Sequence, residues 1–158
     1  MLRRARPDDA RAIARLFRAS FGTLTFLPTL HTPEEDERHL ASMIADREVW
    51  VYEDEREIAG FAAVTDDMLS DLYVAPDRLR EGIGSVLLER AKERRPAGFR
   101  FWVFQQNERA RRFYERHGCR VVELTDGSGN EEKVPDALYE WAPQIVNLQK
   151  QIHDRDSP

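Results

Sequence analysis

One cysteine, Cys119, stands among 158 residues. An internal disulfide is therefore excluded, and so is a zinc site built on Cys-x-x-Cys pairs. The histidines, His31, His39, His117 and His153, show no HExxH-like spacing, so the sequence implies no metal. Lysine is nearly as scarce. Of the 24 basic residues only Lys92, Lys133 and Lys150 are lysines, and the net charge is −5. That balance argues against a nucleic-acid-binding domain, which carries a net basic patch. It leaves room for a local anion site made of arginines. No apolar run approaches the roughly 20 residues that span a bilayer. The start, Met1-Leu2-Arg3-Arg4-Ala5-Arg6-Pro7, is basic with no apolar stretch behind it and does not read as a secretory signal. The expectation is a soluble cytoplasmic protein.

At roughly 150 residues per domain, the length implies one domain, read here as residues 1–142, with 143–158 as a C-terminal tail. Strand and helix patterns alternate, which points to an α/β or α+β sheet with helices packed on it. Leu2 to Ala5 reads as a short strand, and Pro7 opens a helix with Asp8 and Asp9 at its positive end. Thr32-Pro33-Glu34-Glu35 is a capping box followed by the stripe Leu40, Met43 and Ile44. Glu48–Glu53 and Glu57–Thr65 read as a hairpin, and Met68–Ala75 as a further strand stopped by Pro76. A helix is expected from Gly82 to Arg95, with Ile83, Val86, Leu87 and Ala91 on one face. Phe99–Phe104 reads as a strand buried on both faces. Asn107 caps a helix that Gly118 ends, with Ala110, Phe113, Tyr114 and His117 on one stripe. Cys119–Leu124 and Ala137–Trp141 make two last strands around a polar loop. Trp50, Trp102 and Trp141 are expected in the core or in a pocket wall. In the tail, Ile145, Leu148 and Ile152 suggest a short amphipathic helix.

Two stretches carry chemistry. The first is Leu72-Tyr73-Val74-Ala75-Pro76-Asp77-Arg78-Leu79-Arg80-Glu81-Gly82-Ile83-Gly84-Ser85, a strand, a turn, two glycines and a helix start. The first N–H groups of a helix lack internal partners, the helix dipole adds positive character, and glycines admit a bulky anion. The combination suits a pyrophosphate. It is neither a Rossmann fingerprint, since Leu87 stands where the third glycine belongs, nor a P-loop, since no Gly-Lys-Ser/Thr follows. The second stretch is Asn107-Glu108-Arg109-Ala110-Arg111-Arg112-Phe113-Tyr114-Glu115-Arg116-His117-Gly118. By itself it is an amphipathic helix.

In this order and spacing the two stretches resemble the signatures of the GNAT superfamily of acyl-CoA-dependent N-acyltransferases, and the order of elements fits over nearly all of residues 1–142. The resemblance implies a mixed, mostly antiparallel sheet of about seven strands with about four helices, splayed between the fourth and fifth strands. It implies acetyl-CoA as cosubstrate. The backbone of Leu72, Tyr73 and Val74 would pair with the pantetheine. The N–H groups of Leu79, Arg80, Glu81, Gly82, Ile83, Gly84 and Ser85 would cradle the pyrophosphate. Asn107 would contact the pantetheine arm, and Tyr114 would sit near the sulfur as general acid to the leaving thiolate. A phenol with an unperturbed pKa near 10 suits that role.

The chain departs from the family pattern in two places. Leu79 occupies the usual Gln/Arg position, and Glu81 precedes the first glycine, which is unfavourable beside a pyrophosphate unless Glu81 faces solvent or pairs with Arg78 or Arg80. The positions where relatives carry a base hold Met68 and Trp102, and neither accepts a proton. Asp71 alternates away from Met68 and Ser70 on a regular strand and reads as a solvated or hydrogen-bonded strand carboxylate. His31 reads as an exposed loop histidine. Arg109, Arg111, Arg112 and Arg116 read as a solvated face, and Cys119 as a small core residue. Two acidic segments, Phe26–Asp36 and Gly129–Trp141, are expected beside the acceptor and would favour a cationic amine. The leading expectation is acetyl transfer from acetyl-CoA to a primary amine by direct attack. A non-catalytic acyl-CoA-binding module stays open, because a base is missing from both expected positions. No nucleic acid or membrane partner is expected. An exposed strand edge makes a homodimer an expected arrangement by fold-level analogy.

Overall fold

The computed structural model describes residues 1–55 and 57–143. The chain runs β1 (Leu2–Arg4), a 3-10 turn (Pro7–Asp9), α1 (Ala10–Phe21), α2 (Pro33–Asp46), β2 (Glu48–Glu53), β3 (Ile58–Val64) and β4 (Leu69–Val74). A second 3-10 turn (Pro76–Arg78) leads to α3 (Ile83–Arg94), β5 (Phe99–Phe104), α4 (Glu108–Arg116), β6 (Arg120–Leu124) and β7 (Asp136–Trp141). Strands β1-β2-β3-β4 form one antiparallel sheet and β5-β7-β6 another. Among the described residues the two are stitched at one end, by a parallel bridge between Met68 and Arg100 and by the Arg100 N–H donating to the Asp67 carbonyl at 2.9 Å. Beyond that point β4 and β5 diverge. The result is the expected α+β sheet of seven strands and four helices, open between the fourth and fifth.

The local signals explain most of the elements. Thr32 accepts from the Glu35 N–H, and the Glu35 carboxylate accepts from the Thr32 N–H, so both halves of the capping box form at α2. Asn107 caps α4 by accepting from the Ala110 N–H at 3.3 Å. Two cores result. One, on the α1–α2 side, gathers Ile13, Leu16, Leu40, Met43, Val49, Val51 and Phe61. The other joins both sheets under α3 and α4, through Leu69, Leu87, Leu88, Phe99, Phe101 and Tyr139. Gly60 matters here. A Cβ on it would come within 2.9 Å of Leu87 and 3.1 Å of the Tyr73 carbonyl, so α3 lies on β3 only because that position is bare.

Two expectations are corrected. Val86 is 41% exposed while Leu88 is fully buried, so the apolar stripe of α3 passes through Leu88. The helix sits across two strands, and the i, i+4, i+5, i+8 face packs in place of the i+3 position. Strand β5 is buried on one face only. Phe99, Phe101 and Val103 point inward, whereas Arg100 and Trp102 point out, Trp102 being 49% exposed. The aromatic run hid an ordinary alternation, so Trp102 is not a core residue. The tail helix expected around Ile145, Leu148 and Ile152 lies outside the described residues.

The β6–β7 loop depends on Gly127. Its φ is +84°, and a Cβ there would lie 2.3 Å from the Val134 carbonyl carbon. Gly127→Ala is expected to cost roughly 2–3 kcal/mol from strain and overpacking. For a chain of this size that lowers Tm by about 4–12 °C, readable by thermal denaturation.

Candidate active site

The divergence of β4 and β5 opens a groove of about 940 Å³, near the upper end of ordinary small-molecule sites. Its walls are the second half of β4, the start of α3 and the inner face of α4, and Ser20, Thr23 and Leu24 close one end. The register of β4 decides which backbone groups face the opening. The Ala75 N–H donates to the Ala59 carbonyl, and Phe61 lies opposite Tyr73. Hydrogen-bonded pairs alternate in an antiparallel ladder, so the Tyr73 backbone is turned to β3. Leu72 and Val74, which lie opposite Ala62 and Gly60, direct their N–H and C=O groups into the groove. Tyr73 reaches the groove through its side chain, which packs on Phe17 and Phe61.

At the far end of β4 the chain turns into α3 through the segment expected to cradle an anion. Arg80 and Gly82 both take positive φ, 69° and 81°, and Gly82 precedes the first turn of α3. The first helical bond runs from the Val86 N–H to the Gly82 carbonyl. The N–H groups of Ile83, Gly84 and Ser85 therefore carry no intrahelical bond, and they lie at the positive end of the helix. Gly84 is close to α4, where an added Cβ would touch Phe113 at 3.3 Å. Leu79, Arg80, Gly82, Ile83, Gly84, Ser85 and Asn107 all line the groove. Glu81 does not act against the cradle. Arg78, 8% exposed, donates from Nε to Glu81 at 2.9 Å, and its Nη2 pairs with Asp54. The Ser85 hydroxyl is also occupied. His117 Nδ1 donates to the Phe113 carbonyl at 2.7 Å, which leaves Nε2 to accept from Ser85 Oγ at 2.9 Å. The groups left free at the head of α3 are thus backbone N–H groups.

Tyr114 stands where the groove meets the core. It is buried, with its ring 4.3 Å from that of Phe101. Burial raises its hydroxyl well above the ordinary phenol value, and nearby Cys119 and Asp71 act in the same direction. Burial thus favours the protonated phenol, which is the form that can donate. Cys119 is buried, and its thiol is pushed up to about 11 by that burial, so it is a core residue and not a nucleophile. Arg109, Arg112 and Arg116 line the groove on the outer side of α4, beside Arg80. Arg111 differs from the solvated face expected of it. It turns inward and donates from Nε to the Tyr139 hydroxyl at 2.9 Å.

The two acidic segments are brought together on the other side of the splay. Phe26 meets Phe104 edge-on, and His31 Nε2 lies 2.6 Å from Glu131 Oε1. His31 is exposed, as expected, but it is tied. Its partner lies one hundred positions away, a distance no local pattern spans. Glu131 raises the imidazole pKa.

A model described as an acetyltransferase (GNAT) domain matches residues 45–120. The peptidyl-lysine N-acetyltransferase YjaB of Salmonella typhimurium is 30% identical over 123 residues, 77% of this chain and 83% of that protein. The chain belongs to the GNAT family. A second GNAT relative, the peptidyl-lysine N-acetyltransferase YiaC of Escherichia coli, is 28% identical over 106 residues, 66% of this chain and 70% of that protein. Among solved structures, apo YjaB of Escherichia coli superposes with a TM-score of 0.73 at 25% identity, covering 90% of this chain and 97% of that one. This GNAT protein is an acyl-CoA-dependent acetyltransferase. Among the described residues no group of His, Cys, Asp and Glu could hold a metal ion, and no helix is long and apolar enough to cross a membrane.

Proposed function

We propose that this protein transfers the acetyl group of acetyl-CoA to the side-chain amine of lysine in a peptide or protein, by direct attack within a ternary complex. The observation that carries the reading is the buried phenol of Tyr114 in a groove that also holds the N–H groups at the head of α3. The pyrophosphate docks on the N–H groups from Leu79 to Ser85, and the pantetheine runs along Leu72 and Val74 past Asn107. The thioester then lies beside Tyr114. As the amine nitrogen bonds to the carbonyl carbon and the C–S bond breaks, the phenol donates to the departing sulfur. The relatives named above supply the lysine class. The acceptor side of this chain fits a cation, since the Glu132 charge is felt at Tyr73, which lines the groove.

The test is acetyl-CoA turnover, followed as thiol release, against lysine peptides, free amino acids, polyamines and aminoglycosides. Release that depends on lysine peptides is the expected result. Release only with a different amine class overturns the acceptor. Tight coenzyme binding with no release for any amine would return the chain to a binding role.

A further inference from the structure

The bond between Ser85 and His117 joins the first turn of α3 to the end of α4, and both residues line the groove. Its direction is set from the far side of the ring. A carbonyl oxygen only accepts, so Phe113 keeps a proton on Nδ1 in either charge state of the imidazole. Only Nε2 is left to titrate. While Nε2 is bare it accepts from Ser85 Oγ at 2.9 Å, and the hydroxyl proton is held inside the protein. Once Nε2 carries a proton the bond reverses. The imidazolium donates to Oγ, and the Ser85 hydroxyl is released to donate elsewhere.

The protein's own charges oppose that reversal. Lys92 of α3 donates from Nζ to the His117 carbonyl at 3.0 Å, and Glu89 holds the same ammonium at 3.1 Å. Arg109, Arg112 and Arg116 of α4 and Arg80 before α3 line the groove with the ring. Glu115 on α4 is exposed. The Cys119 thiol and the Tyr114 phenol, close in the chain, are both raised by burial and neutral. Among the described residues no carboxylate is bonded to the ring, whose two nitrogens go to Phe113 and Ser85. An anion in the groove would supply the missing charge, and a phosphate oxygen at the Ser85 N–H lies within reach of the hydroxyl of the same residue. A separate observation points to such an anion. Arg78, 8% exposed, lines the groove and keeps Nη1 buried with no hydrogen-bond partner among the described residues.

We propose that His117 is a positioning residue for the coenzyme and takes up a proton as the pyrophosphate docks. This rests on the reading above that sets the pyrophosphate on the N–H groups from Leu79 to Ser85. A proton from solvent bonds to Nε2, the Nε2–H donates to Ser85 Oγ, and the hydroxyl turns its own proton to a phosphate oxygen. The bond to the phosphate is charge-assisted through the hydroxyl. Docking and protonation are linked, so each favours the other equally. An imidazole changes charge between about pH 5 and 8, which puts the coupling in the working range. The gain in affinity is complete where the free protein already holds the proton. It is lost as pH rises past the point where the ring in the complex releases it.

Calorimetry of coenzyme A binding at pH 7, in buffers of different ionisation enthalpy, is expected to show net proton uptake by the wild-type protein. His117→Gln, whose amide bonds Ser85 but takes no proton, is expected to show less. Wild-type affinity relative to that variant is expected to fall about tenfold from about pH 6 to about pH 8.5, within the roughly 5–150-fold typical of linked sites. The coenzyme's phosphomonoester titrates near pH 6 in both proteins, so the difference isolates His117. Ser85→Ala keeps its backbone N–H and is expected to lose most of the uptake. Equal uptake in the wild type and His117→Gln overturns the inference, and so does uptake that Ser85→Ala leaves whole. Nitrogen NMR of the wild-type ring needs no variant: a His117 titration midpoint that coenzyme A leaves in place overturns it as well. Coenzyme A affinity that Gly84→Asp leaves unchanged would overturn it from below, by sinking the docking reading on which it stands.

Discussion

Tyr114→Phe is expected to lower kcat by ten- to a thousandfold and to leave acetyl-CoA binding in place. The substitution removes a single oxygen. The ring keeps its contacts with Phe101, Phe113 and Tyr139, at centroid distances of 4.3, 5.1 and 6.4 Å, so Tm is expected to stay close to that of the parent. What disappears is a donor aimed at the departing thiolate, and a positioned acid typically contributes 10²–10⁴-fold. The lower part of the expected range applies if water enters the space and donates in place of the phenol. Because burial holds the Tyr114 hydroxyl above its ordinary value, the phenol does not titrate in the working range. A basic limb in the wild-type pH profile, if present, should therefore persist in the Phe variant. Steady-state rates and coenzyme calorimetry on both proteins decide the matter. Unchanged kcat removes Tyr114 from the chemistry.

The parts of this molecule that could be read from sequence are those governed by neighbours along the chain. Thr32 and Glu35 find each other three residues apart. Asn107 and Gly118 bound a helix by rules that act within a turn. The two glycines at the head of α3 and the Asn-x-x-Ala-x-x-Phe-Tyr run were enough to place the turn before α3 and the ring of Tyr114 on the elements where they lie. What escaped depends on pairing between elements. The alternation rule put Asp71 on the wrong face because Ser70 is an extra residue in β4, where Ala63 of β3 pairs with Asp71 and Val64 with Leu69, and such a bulge is visible only against the partner strand. For Glu81 the sequence left solvent, Arg78 and Arg80 open, and the choice of Arg78 is fixed by Asp54 of the distant β2–β3 hairpin, which holds the same guanidinium. Val86 and Leu88 are both apolar and only two apart, so which one packs depends on where the helix axis crosses the sheet. Trp102 carries the composition of a core residue but the position of an outward one. Here apolar content misled where parity along the strand would have succeeded.

Gly84→Asp should separate coenzyme binding from folding more cleanly than any loss of a side chain. Residue 84 lies in the first turn of α3, where a carboxylate interacts favourably with the helix dipole by roughly 0.3–1 kcal/mol. Replacing a helical glycine by Asp recovers at most about 0.3 kcal/mol more, since Asp is itself a weak helix former. The new Cβ would touch the edge of the Phe113 ring at 3.3 Å, a contact that a small ring shift relieves. Tm is therefore expected to hold or rise. The same carboxylate would stand among the free N–H groups meant for a pyrophosphate. Two unit charges about 5 Å apart at an effective dielectric near 20 repel by about 3 kcal/mol. Even halved by screening, that is more than a tenfold loss of affinity for each phosphate charge it meets. Coenzyme A binding is expected to weaken thirtyfold or more, and the deficit to shrink as salt is added. Gly84→Ala supplies the steric effect alone and should cost far less. Equal coenzyme affinity in the Asp variant and the parent would mean that the pyrophosphate does not sit at the head of α3, and that the positive φ of Arg80 and Gly82 shapes a turn and nothing more.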